Sequence, residues 1–188
     1  SEKLEDSSRE HIIISLGSEE TEKAKRFLRG WFSATKAEEI TVIDPYFDYK
    51  SVEVIAYMIN RDPDITVNIV TSSQSFKRLQ KEGDEFIADT FKRYWTENIA
   101  NGSLPSFKLQ AIRYGTNNGF PIHDRWIYTE TEMLFSGASL NGYGHKVCQI
   151  KKLTGSEMIS TIETLTPLIN GKQKYYNEAK MYSSYDEV

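Results

Sequence analysis

Three short strand-like runs, two of them β-branched and one alternating, spaced by helical stripes, constrain this chain more than any other feature. They are Ile40-Thr41-Val42-Ile43, Ile65-Thr66-Val67-Asn68-Ile69-Val70-Thr71 and the alternating Phe107-Lys108-Leu109-Gln110-Ala111-Ile112-Arg113-Tyr114. Runs of this length and composition read as strands. Between the first two, Val52, Ile55, Ala56 and Ile59 recur at helical spacing. Between the second and third lies the polar loop Ser72-Ser73-Gln74-Ser75, then a charged helical stretch from about Phe76 to Ala100. Phe86, Ile87, Phe91, Tyr94 and Trp95 form its apolar side. Ahead of all three, His11–Leu16 predicts a buried strand, with Ser18 as N-cap of a helix carrying Ala24, Phe27, Leu28, Trp31 and Phe32 on its core face.

The later chain holds shorter elements. Arg125–Tyr128 and Met133-Leu134-Phe135 predict a hairpin turned by Thr129-Glu130-Thr131-Glu132, and Val147-Cys148-Gln149-Ile150 a further strand. A last helix, capped by Ser156, carries Met158, Ile159, Ile162 and Leu165 and is interrupted at Pro167, ahead of a polar, tyrosine-rich tail. The order β-α-β-α-β-α-β-β-β-β-α predicts an α/β fold: one mixed sheet with helices on both faces. At 188 residues the expectation is a single domain over residues 10–188 behind a polar tail, residues 1–9.

Composition narrows the function classes. The apolar share of 39% and charged share of 27% are those of an ordinary globular protein. No apolar run is long enough to span a membrane, and the first residues are polar. A single cysteine, Cys148, excludes an internal disulfide and a cysteine-based zinc site, and a cytoplasmic setting is expected. The net charge of −4 argues against a broad electrostatic grip on nucleic acid. The cluster His145, Lys146, Lys151 and Lys152 leaves room for a narrow phosphate contact, although Lys151-Lys152 reads better as a solvated pair. A start at Ser1 suggests a part of a larger multidomain protein.

The chemistry-bearing stretch is Pro121-Ile122-His123-Asp124-Arg125-Trp126-Ile127-Tyr128, reached through the flexible loop Gly115-Thr116-Asn117-Asn118-Gly119 and followed by Phe135-Ser136-Gly137-Ala138-Ser139-Leu140-Asn141-Gly142. On an extended backbone His123 and Arg125 share a face, with Trp126 and Tyr128 on the other. An imidazole beside a fixed guanidinium suits phosphoryl transfer. Asp44, in Asp44-Pro45-Tyr46 at the end of the second strand, has two readings: an acid facing a site, or a cap for its own turn.

These residues resemble the phospholipase D superfamily, whose signature is a histidine, one residue, a lysine, four residues, an aspartate, then a glycine-rich turn with serine and asparagine. His123 matches the histidine, Arg125 stands at the lysine, Glu130 at the aspartate, and Ser139 and Asn141 match the turn, with Ala138 inserted after Gly137. The closest pattern is a bacterial variant branch reading HDR…GASLxxxG, which also accommodates Asp44-Pro45-Tyr46, Gly144 and Lys146.

The resemblance implies a metal-independent phosphodiesterase, a hydrolase acting through a phosphohistidine, with no cofactor. His123 would attack phosphorus. Arg125, Ser139, Asn141 and Lys146 would bind the phosphate, Glu130 more than Asp124 would orient the imidazole, and Asp44 and Tyr46 would support the site. Two histidines are needed and only one motif is present, so the resemblance implies a homodimer pairing two copies of His123. A nuclease is expected, since no lipid-facing apolar surface is evident. The competing reading is a non-catalytic module that binds phosphate groups of lipid or nucleic acid, or protein partners within a larger protein.

Overall fold

The computed structural model describes residues 10–81, 86–116, 118–176 and 178–188. The expected tail, residues 1–9, and Asn117 of the flexible loop lie outside the described residues. The elements are β1 (His11–Ile14), α1 (Ser18–Thr35), β2 (Glu39–Ile43), α2 (Tyr49–Met58), β3 (Thr66–Ser72), α3 (Ser73–Lys81), α4 (Ile87–Asn98) and β4 (Ser106–Tyr114). There follow β5 (Arg125–Tyr128), β6 (Met133–Ser136), a 3-10 turn (Leu140–Gly142), β7 (Cys148–Lys152), α5 (Gly155–Ile169), β8 (Tyr175–Tyr176) and β9 (Ala179–Glu187).

The strands form one nine-stranded mixed sheet in the order β1-β7-β6-β5-β2-β3-β4-β9-β8. β2, β3 and β4 are parallel, joined by helical crossovers, while β5 runs antiparallel to β2 with Ile43 opposite Trp126. Alternation along the strands assigns the two faces. Ile40, Val42, Val67, Ile69, Phe107, Leu109 and Ile127 pack beneath α1 to α4. Ile43, Val70 and Ile112 point the other way and pack with Leu165 of α5, with Trp126 and Tyr128 against them. The fold is therefore α/β with helices on both faces. Each apolar side chain buried in these layers contributes about 1.5–3 kcal/mol.

The structure corrects several local expectations. The polar residues after β3 are the first turn of α3, not a loop, and the long charged helix is two helices, α3 and α4. Phe86 precedes α4 and is exposed instead of packing on its apolar side. The N-cap of α1 is Gly17, with no side-chain cap bond; Glu20 instead accepts from the Ser15 amide, and the Gly17 amide donates to the Gly144 carbonyl. Thr154, not Ser156, caps α5 through a capping box with Glu157, and the helix runs through Pro167, two residues from its end. Ile159 is exposed on that helix. The strand predicted at 147–150 runs Cys148–Lys152, and Val147 is exposed.

The tyrosine-rich tail is β8 and β9, the latter pairing with β4 over seven positions from Lys108↔Glu187 to Tyr114↔Met181. Its side chains show no apolar period because polar contacts hold them. The Arg113 guanidinium lies 4.0 Å from the Tyr182 ring centre, and Gln110 Nε2 donates to the Tyr185 hydroxyl.

Candidate active site

A parallel sheet presents its loops at the carboxyl ends of its strands, where open α/β folds place their ligands. Here the ends of β2 and β3 meet the start of β5, because β5 runs antiparallel to β2. Arg125 therefore arrives beside Asp44.

Asp44 is fully buried. Its Oδ1 accepts from the Tyr46 amide at 2.9 Å and its Oδ2 from the Leu140 amide at 2.9 Å. It thus joins the loop after β2 to the turn after β6: Asp44 shapes its own turn, and it lies beneath the cavity of His123 and Arg125 without lining it. The Ser139 side chain, 7% exposed, also bonds to Asp44. Arg125 Nε donates to Ser139 Oγ at 3.3 Å. A hydroxyl has one proton to give, so Ser139 donates to the carboxylate and accepts from the guanidinium. Burial pushes the Asp44 carboxyl above its ordinary range, while the bonds from Ser139, Tyr46 and Leu140 and the charge of Arg125 pull against that rise.

The loop after β2 is fixed from a second side. The Pro45 carbonyl accepts from Ser72 Oγ at 2.7 Å and Ser75 Oγ at 2.8 Å, and the Tyr46 carbonyl accepts from Asn141 Nδ2 at 2.8 Å. Tyr46 itself is 56% exposed, with the Arg125 guanidinium 5.5 Å from its ring centre. Below the turn, Gly144 has φ +86°, and a Cβ there would come within 2.5 Å of the Gly17 carbonyl oxygen. Only glycine fits that approach. Tyr143, next to it, is buried and bonds to Ser136 Oγ at 2.8 Å.

His123 and Arg125 line one open cavity of about 550 Å³, with Tyr46, Ser72, Phe120 and Tyr176 among its walls. His123 precedes the strand; its side chain is 94% exposed, and Nδ1 lies 3.0 Å from Asp124 Oδ1. An acceptor at Nδ1 leaves Nε2 turned outward with its lone pair. Such an exposed pair contributes little to stability.

Glu130 is not brought to this site. It sits past the far end of β5, in the turn that β5 and β6 share, and lines a separate cavity with Glu38, Glu39 and Asp64. The antiparallel direction of β5 is the reason: the strand from Arg125 to Tyr128 alone spans about 10 Å, and Glu130 lies in the turn beyond its far end. Asp124 holds the position at the imidazole that Glu130 was expected to hold. Lys146 is exposed in the loop before β7 and does not line the cavity, and neither do His11 or His145. Ser139 and Asn141 sit behind the site, where they position Arg125 and Tyr46 instead of lining the cavity with His123.

Ser72, Ser75, Phe120 and Tyr176 escaped the sequence reading. The rule of strand carboxyl ends could have flagged Ser72; nothing local marks the others. Among the described residues no group of three or more His, Cys, Asp or Glu is placed to hold a metal ion, and no helix is long and apolar enough to cross a membrane.

Neither a family model nor a curated protein matches the sequence. Among solved structures, NucT from Helicobacter pylori superposes with a TM-score of 0.50 at 11% identity, covering 92% of this chain and 98% of NucT. That likeness shows the fold, and it agrees with the expected phospholipase D-like α/β architecture. TrmBL2, an archaeal chromatin protein whose structure shows a novel mode of DNA binding, superposes at a TM-score of 0.45 and 15% identity over 94% of this chain. The chain spans 56% of TrmBL2.

Proposed function

We propose that this chain supplies one half of a metal-independent phosphodiesterase site, acting as a nuclease. The observation that carries the reading is the relay from buried Asp44 through Ser139 to Arg125, with His123 on the wall of the same cavity. A guanidinium fixed in advance suits the non-bridging oxygens of a diester, since it need not reorganise as charge develops.

In the proposed reaction His123 Nε2 attacks phosphorus, and the bond from phosphorus to the leaving oxygen breaks. His123 of a second copy gives that oxygen a proton. Water then attacks the phosphohistidine, returns its proton to the second imidazole and frees His123. The second copy is required because neither His11 nor His145 lines the cavity. The exposure of His123 at the rim leaves it open to a partner. A homodimer of twofold symmetry meets this need.

Exposed Tyr46 beside Arg125 favours nucleic acid over lipid, since an aromatic face stacks on a base. The test is cleavage of single-stranded DNA, RNA and a generic diester in EDTA by wild type and His123→Ala. Cleavage by wild type and its loss in the variant are expected; equal inertness of both sinks the reading.

The displacement of Glu130 favours a second reading, a phosphate-binding module without catalysis. It predicts that His123→Ala binds as wild type does while Arg125→Ala does not.

A further inference from the structure

Tyr46 is the wall between two cavities. On one side is the cavity of His123 and Arg125; on the other is a cavity of about 580 Å³ lined by Tyr46, Tyr49, Arg78, Leu79 and Asn141. Each has a basic side chain, and the ring between them is more than half exposed. Asn141, by bonding to the Tyr46 carbonyl, holds that ring's backbone from the second side. The acid in the second cavity, Asp48, is turned into the cap of α2: its Oδ1 accepts from the Ser51 amide at 3.0 Å and from Ser51 Oγ. Arg78, on α3, is exposed.

We infer that the second cavity is a subsite for the neighbouring nucleotide of a single-stranded nucleic acid, with a base stacked on Tyr46 and the next phosphate on Arg78. This rests on the phosphodiester reading of the first cavity and extends it to a substrate of at least two nucleotides. The inference follows from the order of groups along the surface: guanidinium, aromatic face, guanidinium. A backbone phosphate, an unstacked base and the next phosphate alternate in the same way. A duplex keeps its bases stacked on one another and cannot offer one to Tyr46 without opening, whereas stacking on aromatic side chains is the usual grip on single strands. Asn141 is a positioning residue here, setting the ring through its carbonyl.

The experiment measures binding of thymidine 5′-monophosphate, oligothymidylate six nucleotides long, the corresponding RNA and a short duplex, over a salt series, to wild type, Arg78→Ala, Tyr46→Ala, Tyr46→Phe and Arg125→Ala. Circular dichroism and melting confirm that each variant is folded. Tyr46→Ala should weaken the hexamer about 5- to 150-fold, the range of one lost stack, and Tyr46→Phe should restore it. Arg78→Ala should weaken the hexamer but not the mononucleotide. It should also flatten the slope of log K against log salt by about 0.7, the value for one phosphate contact on a single strand. An unchanged hexamer and slope in Arg78→Ala, with Arg125→Ala weakened, overturns the subsite alone. Equal binding of duplex and single strand also overturns it. No change in Arg125→Ala for any ligand overturns the phosphodiester reading and the subsite with it. DNA and RNA hexamers that bind alike fit the inference, since neither Tyr46 nor Arg78 reads the sugar.

Discussion

Arg125 and His123 are two residues apart, yet the fold holds them in opposite ways. Arg125 begins a strand of the central sheet, and its guanidinium is tied through Ser139 to an acid with no exposed surface. His123 lies before that strand, its side chain almost fully exposed, with its neighbour Asp124 hydrogen-bonded to it. One half of the site is built into the core and the other is left at the rim. A phosphate-binding group gains from rigidity, because its geometry is the same in every copy. A histidine that acts with a second histidine has to remain accessible until that partner arrives. The contrast predicts that variants of the two halves fail for different reasons.

The largest expected effect lies at the rim. His123→Ala should lower diester cleavage by on the order of 10³-fold while its melting temperature stays with wild type, as an exposed side chain contributes little to folding. A fall in stability together with activity would break the contrast. At the anchor the pattern should reverse. Asp44→Ala strips partners from the buried Leu140 amide, the Tyr46 amide and Ser139, at a cost of about 3 kcal/mol. At this size each kcal/mol lowers the melting temperature by about 2–4 °C. Weaker phosphate binding should accompany that loss, and an unchanged melting curve would contradict the relay.

Smaller effects sharpen the comparison. Ser139→Ala removes one bond to Arg125 and should weaken binding of a non-cleaved diester about 2- to 10-fold, in step with about 0.5–1.5 kcal/mol. The anchor should also show in stability against pH. Because burial raises the Asp44 carboxyl, the folded chain binds more protons than the unfolded chain just above pH 3.8. Wild-type stability relative to Asp44→Asn should therefore fall as pH rises through that window. A relative rise would mean that the bonds from Ser139 and the two amides outweigh burial. The smallest expected effect is that of Glu130→Gln, whose activity and stability should stay within about 0.5 kcal/mol of wild type. A large loss of activity would return Glu130 to the site.

The sequence made the central strands and the first helices legible, because their side chains have one apolar face with a clear period. The core stripe of α1 and the buried face of α2 fall on the expected residues. β9 was hidden because its tyrosines meet cations and a side-chain amide, Tyr182 against Arg113 and Lys180 and Tyr185 bonded to Gln110, and its sequence has no apolar alternation. At the site, the pairing of His123 with Arg125 could be read from spacing alone. The role of Glu130 could not, since spacing along the chain does not reveal that β5 carries it to the opposite end of the sheet. Asp44 could be named but not assigned. Its role depends on Leu140 and Ser139, 96 and 95 residues downstream, meeting it in space.

The most direct test of the two-part site is a covalent trap. Wild type mixed with a diester substrate in EDTA, then quenched in base and analysed by peptide mass spectrometry, should carry, on the peptide containing His123, a phosphorus-linked adduct that retains the non-leaving ester group of the substrate. The adduct should be lost on acid treatment and absent from His123→Ala. A wild-type protein that cleaves the diester with no adduct, or with the adduct on a different residue, would contradict the role assigned to His123.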